Sequence, residues 1–353
     1  MAVHFDRERM SRALEAHESW WNGTLDRPLL CITLADAHPL RPTAAPQLTQ
    51  ATCADFRWTP EQIVDAMDAR FSSEEYLGYA FPWLSMDVFG PGVLAAFCGA
   101  KLDTSTGRVW FLPQEKKALE DIHVKYDPEN VWAKRIKAIY RAGMERWDGS
   151  VAMGIPDLGG VLDVAATFRG SEDLLMDLID QPEEVHRLIG EIEQAWYEAY
   201  TDLAAVLDGQ GVYTHWSGLL SRRPSYITQC DFCYMIGNPM FREFVLETLR
   251  RDTEKLDHVI YHLDGVGQLR HLEDVLGLEK LDAVQWVPGD GQPSEGHWPE
   301  VYRHIRDAGK GFMFGGGVED FFTLVSQVHG APFYRCWLPA GEADLARRML
   351  EAR

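Results

Sequence analysis

The chain has 353 residues, of which 46% are hydrophobic and 25% are charged, a composition typical of globular proteins. Its formal net charge of −20 at pH 7 repels phosphate backbones and anionic lipid, so we expect neither nucleic acid nor a membrane as a partner. No apolar run reaches the length of a membrane span, the N-terminus lacks the pattern of a signal peptide, and six dispersed cysteines favour a cytoplasmic location.

The N-terminal region, residues 1–80, is predicted to begin with a helix over about 6–21 and a strand over 27–34. A long loop follows the strand. Thr59 as N-cap and Pro60 at the first helical position then predict the start of a second helix.

Beyond residue 80, short β-like runs alternate with helical patterns. The candidate strands are 83–89, 107–111, 150–155, 211–216, 258–263, 281–286, 311–315 and 332–337. The helical patterns are 130–147, 171–207 with a break at Pro182, 238–256, 267–277, 298–308, 318–329 and 341–352. This alternation predicts parallel β/α units. About eight strands and no linker favour a single (β/α)8 TIM barrel over two doubly wound domains, so we predict a barrel over 81–353 with residues 1–80 as an N-terminal helical extension packed on it.

In such a barrel the active site lies at the carboxyl ends of the strands, where this sequence places polar and aromatic side chains. The candidates for binding a small-molecule substrate are Asp87, Asp157, Trp216, Met235, Gln285, Trp286 and Trp337. The three tryptophans either wall a pocket or cap the barrel core. His215 and Asp231 are candidate catalytic residues, as proton donors or orienting groups.

His262 and Asp264 stand two residues apart at the end of a predicted strand, so their side chains share one face. Imidazole and carboxylate are both zinc ligands, and a catalytic zinc takes three protein ligands. Cys336, at the end of the last predicted strand, is the candidate third ligand. The alternative is a hydrogen-bonded His–Asp pair with Cys336 as a small core residue. Asp264 is either a ligand or a general base.

Four segments of the sequence resemble the uroporphyrinogen decarboxylase superfamily, and its corrinoid-linked methyltransferase branch most closely. The segments are 156–188, 229–249, 261–286 and 334–350. The resemblance implies a (β/α)8 barrel. In the methyltransferase branch it also implies a catalytic zinc, which activates a thiol that exchanges a methyl group with a corrinoid carried by a partner protein.

In that branch the zinc is held by a His-x-Cys at one strand end and by a cysteine after the last strand. His262 matches the histidine and Cys336 matches the distal cysteine, but Asp264 stands where the proximal cysteine is expected. A carboxylate is a harder ligand than a thiolate and donates less charge, so the metal would be more Lewis acidic and would favour oxygen ligands.

The resemblance therefore implies a metal-dependent methyltransferase that works with Zn²⁺ and a corrinoid protein. The chain could form a homodimer. Two alternative functions stay open. The first alternative is a metal-free decarboxylase or lyase acting on a tetrapyrrole or a smaller aromatic acid. There, Asp87, Asp157 or Asp231 would stabilise a protonated intermediate and Arg222 or Arg223 would hold a carboxylate. The second is a non-catalytic corrinoid or tetrapyrrole binder.

Overall fold

The computed structural model describes residue 3 and residues 5–352. Its strands are β1 (Leu29–Ala35), β2 (Glu75–Gly78), β3 (Trp83–Leu84), β4 (Lys101–Asp103), β5 (Trp110–Leu112), β6 (Ala152–Met153), β7 (Ser225–Gln229), β8 (His258–Asp264), β9 (Ala283–Val287), β10 (Gly311–Phe314) and β11 (Phe333–Pro339). Its α-helices are α1 (Arg7–Trp21), α2 (Pro60–Ser73), α3 (Leu94–Phe97), α4 (Val131–Trp147), α5 (Val161–Arg169), α6 (Ser171–Asp180), α7 (Pro182–Leu207), α8 (Asn238–Phe241), α9 (Glu247–Lys255), α10 (Leu272–Leu276), α11 (Pro299–Asp307), α12 (Val318–Gln327) and α13 (Ala343–Glu351).

The main sheet has seven strands in the order β2-β1-β11-β10-β9-β8-β7. All neighbours pair in parallel except β1 and β2, which pair antiparallel. A second, two-stranded sheet pairs β3 and β6 in parallel, and a bridge between Ile155 and His215 extends it. This is a mixed α/β fold with a mostly parallel central sheet, consistent with a TIM barrel. The ladders between the described residues form three separate sheets, the third being the β4–β5 pair, rather than one closed ring.

The predicted N-terminal extension contributes two strands, β1 and β2, to the main sheet. β1 lies between β2 and β11 and pairs with β11 along its whole length, from Leu29 opposite Phe333 to Ala35 opposite Pro339. Residues 29–35 are therefore part of the sheet. Of the predicted extension, the helices α1 and α2 pack around the sheet.

Two predicted strands are shorter or differently paired than expected. Of the run 83–89 only β3 is a strand, because the Ser85 hydroxyl accepts from the Asp87 N–H at 3.3 Å and starts a 3-10 turn over Met86–Phe89. The run 107–111 contributes to β5, which pairs antiparallel with β4 in a hairpin outside the main sheet.

The predicted strand 211–216 makes only isolated bridges, at Tyr213 and His215. The strand that joins the main sheet here is β7, which the sequence analysis missed. Tyr213 pairs antiparallel with Ser221, so the chain turns back before it enters β7, and the apolar run that looked like a strand forms one arm of that turn.

The two faces of the main sheet bury different sets of residues. The inner face is the one that carries Leu29, Cys31, Ile227, Ile260, Ala283, Met313 and Phe333, which form one cluster with α1. The outer face packs on the surrounding helices and carries Ile32, Leu34, Tyr226, Val259, Tyr261, Val284, Trp286, Tyr334 and Leu338. Because both faces are apolar, sequence periodicity alone cannot tell them apart.

Helix α1 packs on the inner face at the amino ends of the strands. The Trp21 indole N–H donates to the Leu220 carbonyl and the Trp20 indole N–H to the Ala331 carbonyl, both at 2.8 Å. The carboxyl ends of the strands therefore form the opposite mouth. Within the described part of the chain, no helix has the length and apolarity needed to cross a membrane.

Candidate metal-binding site

His262 and Asp264 lie on the inner face of β8, near the mouth. They follow Ile260 at intervals of two, while Tyr261 and Leu263 point to the helices. The Nε2 atom of His262 is 3.8 Å from Oδ2 of Asp264. The two side chains therefore lie on one face of the strand, as predicted.

Asp231 completes the group. Ligand atoms of Asp231, His262 and Asp264 all lie within 4.8 Å of one another, and this is the one cluster of three such donors among the residues described. Asp231 begins a 3-10 helix directly after β7, and Asp163 holds this turn: its carboxylate accepts from the N–H groups of Asp231, at 3.0 Å, and Phe232, at 2.7 Å.

Gln285 fixes the proton on His262. The two residues are paired across β8 and β9, and the Gln285 side-chain oxygen lies 2.6 Å from Nδ1 of His262. An amide oxygen can only accept, so Nδ1 carries the proton and the Nε2 lone pair is directed toward the carboxylates. Metal-binding histidines are usually held in this way, with the second ring nitrogen donating to an oxygen.

The charges around His262 favour its protonated form when no cation is present. Burial opposes the imidazolium, but the facing carboxylates of Asp264 and Asp231 outweigh it, so the pKa of His262 is raised above its ordinary value. Although Asp231 retains exposed surface, desolvation of its carboxyl group and the charge of Asp264 raise its pKa as well. One nitrogen and two carboxylates in this arrangement are a donor set that fits a divalent cation.

Asp157 and Asp87 lie beside this group. Burial raises the pKa of Asp157 to about 7, and the charges of Asp87 and Asp231 add to the effect while His262 opposes it. Asp157 is held in place by the Gly159 N–H, which donates to its carboxylate at 2.8 Å. Burial also raises the pKa of Asp87.

Two glycine-containing turns bring Asp157 and Asp87 together. The Gly92 N–H donates to the Asp157 carbonyl at 3.1 Å. Gly159 has a φ of +85°, and a Cβ there would lie 2.6 Å from the Cα of Gly92. Any larger residue would separate the two backbones.

Cys336 does not join the cluster. On β11, Phe333, Arg335 and Trp337 lie on the inner face, opposite Leu29, Cys31 and Thr33 of β1. Cys336 alternates to the outer face with Tyr334 and Leu338, where burial raises the pKa of its thiol to about 12. Contrary to expectation, the residue that lies with His262 and Asp264 is thus Asp231 and not Cys336, because neighbouring residues of a strand point to opposite faces.

Trp286 is not a wall of the mouth either. It is fully buried on the outer face, where its ring packs 5.6 Å from that of Trp298 and its carbonyl accepts from the Tyr302 hydroxyl. The same alternation that turns Gln285 inward turns Trp286 outward. Of the other two predicted tryptophans, Trp216 packs edge-on against His262 with ring centroids 5.2 Å apart, and Trp337 is 50% exposed.

His215 lies apart from the group, fully buried beside Tyr226. Its Nδ1 is 3.2 Å from the Ser217 hydroxyl, and burial lowers its pKa to about 3. Because burial disfavours the imidazolium form, its position favours the orienting role over that of proton donor.

Met235 borders a cavity of about 390 Å³ that opens beside the cluster. The cavity is also lined by Asp231, Asp163, Gln229, Gly159 and Pro91. Asp231 thus faces both the cluster and a space large enough for a small molecule.

Two inner-face residues have roles that the sequence analysis did not assign. Gln285 was a candidate for substrate binding, yet it orients His262. Arg335 was not considered, although its alternation with Phe333 and Trp337 already predicts that the three share one face.

No family model and no curated protein sequence matches this chain. Its fold is similar to a solved structure described as a methyltransferase from Methanosarcina mazei, with a TM-score of 0.60 and 11% sequence identity. The likeness covers 97% of this chain and 98% of that one. At this identity the comparison shows that the two chains share a fold over nearly their whole length.

Proposed function

We propose that this chain is a metal-dependent methyltransferase whose cation is held by His262, Asp264 and Asp231. The observation that carries the metal site is the contact of His262 Nδ1 with the Gln285 side-chain oxygen, which leaves Nε2 as the nitrogen that faces two carboxylates and can exchange its proton for a cation. Support for methyl transfer comes from the full-length likeness in fold to a solved methyltransferase and from the superfamily resemblance of the sequence.

A bound divalent cation would lower the pKa of a substrate hydroxyl, amine or thiol so that its anion can act as nucleophile. With two carboxylates and one imidazole, the donor set is harder than the thiolate-rich sets of the resembling branch. We therefore propose Zn²⁺ or another borderline divalent ion as the cofactor, with an oxygen or nitrogen acceptor favoured over a thiol.

The protein's own residues would bind the acceptor and manage its proton. Asp157, with a pKa of about 7, can take up or release a proton near neutral pH. Trp216 shields one side of His262 from water, and the cavity beside Asp231 provides the space for the acceptor.

The methyl carrier is proposed to be a corrinoid on a partner protein. Large side chains lie exposed at the carboxyl ends of the strands: Tyr234 and Trp337 are each 50% exposed, and Met235 is 46% exposed. Aromatic residues and methionine are enriched where proteins meet, so this rim is the surface we propose for the partner.

The test is metal content and methyl transfer measured on the same preparations. Protein purified without chelator should contain about one divalent ion per chain and transfer the methyl group of methylcobalamin to a suitable acceptor. His262→Ala should lose both properties, whereas His329→Ala, which removes an exposed histidine, should keep them. Full transfer activity in chelator by metal-free protein would reject the proposal.

The decarboxylase alternative required Arg222 or Arg223 to bind a substrate carboxylate, and neither is placed to do so. Arg222 and Arg223 precede β7, where the Arg222 N–H donates to Glu18 of α1 and Arg223 lies 3.9 Å from Asp257. Both are at the amino ends of the strands, away from the mouth. Release of carbon dioxide from an aromatic acid would nonetheless reinstate this alternative.

A further inference from the structure

Arg335 is a cation on the inner face without an anionic partner. No carboxylate oxygen of the described residues lies within 4.0 Å of its nitrogens. One terminal nitrogen donates to the Gly218 carbonyl at 2.7 Å, while Nε is buried with no acceptor. The guanidinium is otherwise surrounded by rings, with centroids 5.1 Å away for Phe81 and 4.9 Å away for Trp83.

Such an arrangement is costly unless a ligand completes it. A buried donor without an acceptor destabilises the fold, and a charged donor does so more strongly. The chain has 54 acidic residues against 34 basic ones, so a carboxylate partner would be easy to supply. The titratable neighbours that act on Arg335 are instead Cys31, Cys336 and Tyr76, and burial lowers the pKa of the guanidinium.

A tight turn connects Arg335 to the metal-binding group. Gly218 accepts from Arg335, and its own N–H donates to the His215 carbonyl at 2.9 Å. Trp216, in the same turn, packs on His262. Gly218 has a φ of +76°, and a Cβ there would lie 2.9 Å from the guanidinium, so the close approach requires glycine.

We infer that Arg335 is an anion-binding subsite for the carboxylate, sulfonate or phosphate group of a small ligand. A guanidinium presents several N–H donors in a plane that matches such oxygens, and the surrounding rings keep its position fixed. Arg335 is partly exposed as a residue, although its Nε is buried. Combined with the proposed function, on which this step rests, the substrate carries an anionic group as well as the heteroatom that receives the methyl group.

The test uses the full chain treated with chelator, so that anion binding is measured independently of any metal. Sodium acetate, sulfate and phosphate are titrated by calorimetry at constant ionic strength. We expect saturable binding in the millimolar range for at least one of them. Preference for acetate would indicate a carboxylate ligand, and preference for sulfate or phosphate a tetrahedral one.

The variants are Arg335→Gln and Arg335→Lys, with Arg135→Gln as the matched control. Arg135 of α4 is also buried over a ring, that of Phe56, and also donates to a single backbone carbonyl, that of Asp55, but it lies on a helix away from the inner face. Arg335→Gln should weaken binding at least tenfold, Arg335→Lys less, and Arg135→Gln not at all.

Absence of saturable binding in the parent protein overturns the inference whether or not the variants fold. Equal affinity of the parent and Arg335→Gln also overturns it. Metal content separates the failure of this inference from the failure of the proposed function. If the parent protein binds anions but no metal, the anion-binding subsite is supported and the proposed metal-dependent methyltransferase is rejected.

Discussion

The tautomer of one histidine organises the candidate site. His262 could make its Nδ1 or its Nε2 available, and the 2.6 Å contact with Gln285 decides in favour of Nε2. That atom faces Asp264 and Asp231, whose carboxylates also hold the pKa of the imidazole above its ordinary value. A cation bound there would replace the proton of the imidazolium, so metal affinity should increase as pH rises through the pKa of His262.

Gln285→Leu should reduce metal affinity. The substitution removes the acceptor for the Nδ1 proton, so the imidazole no longer favours the tautomer with a free Nε2. Loss of such an orienting contact typically costs about 10–100-fold in metal affinity. Competitive titration with a fluorescent chelator measures the change, with the exposed Gln292→Leu as control. Unchanged affinity in Gln285→Leu would show that the contact does not orient a ligand.

At the scale of single elements, β11 shows why the site could be predicted only in part. The sequence places Arg335 and Cys336 on one strand, so only one of them can face inward. The pairing of Phe333 with Leu29 makes that residue Arg335, and this register is not visible in a strand whose two faces are both apolar. His262 and Asp264 were predictable because they are two positions apart on one strand, which gives their side chains a common face.

Asp231 shows the complementary difficulty. It lies 31 positions before His262, in a 3-10 helix that follows a strand missed in the sequence. Its position depends on the backbone contacts with Asp163, a pairing across 68 residues. No spacing rule predicts such a contact, although the neighbouring ends of parallel strands made Asp231 a reasonable candidate for catalysis.

Trp21→Ala should destabilise the protein without altering the metal site. Trp21 is buried where α1 meets the sheet, stacked on His258 with ring centroids 4.6 Å apart and donating to the Leu220 carbonyl. Its removal should lower the free energy of unfolding by about 3–5 kcal/mol. Denaturant unfolding measures this loss, and Trp110→Ala, which truncates an exposed tryptophan, should change stability little. If the folded Trp21→Ala variant lost its metal, this would contradict the claim that α1, at the amino ends of the strands, is independent of the metal site at their carboxyl ends.

At the scale of the whole molecule, the alternation of strands and helices was sufficient to predict the α/β class and the mouth at the carboxyl ends. The predicted runs 83–89 and 150–155 contain β3 and β6, and the run 107–111 overlaps β5. The reduction of β3 and β6 to two residues, and the antiparallel hairpin of β4 and β5, were not predictable, since runs this short carry no periodicity. The continuous helical pattern over 238–256 was also only approximate, because a π-helical turn over Arg242–Leu246 separates α8 from α9.

The pH dependence of stability should reflect a buried acid of helix α9, Asp252. Burial raises the pKa of Asp252 in α9 to about 7, although the Tyr197 hydroxyl donates to it. The folded state therefore holds a proton that the unfolded state releases near pH 4, and the free energy of unfolding falls as pH rises from about 4 to 7.

Asp252→Asn should remove this dependence. The variant should gain stability relative to the parent as pH increases, by on the order of 2 kcal/mol between pH 4.5 and pH 8. Denaturant unfolding at both pH values measures the difference, and Asp180→Asn, at an exposed position, serves as control. A difference that stays constant with pH would show that Asp252 ionises normally in the folded protein.

The central claim is that the third ligand is Asp231 and not Cys336. The most direct test is the number of divalent ions per chain, measured by elemental analysis in Asp231→Ala and Cys336→Ala prepared side by side without chelator. We predict that Asp231→Ala loses its metal, because one of only three proposed protein ligands is gone, while Cys336→Ala retains the parental content. Loss of metal in Cys336→Ala together with retention in Asp231→Ala would contradict the account.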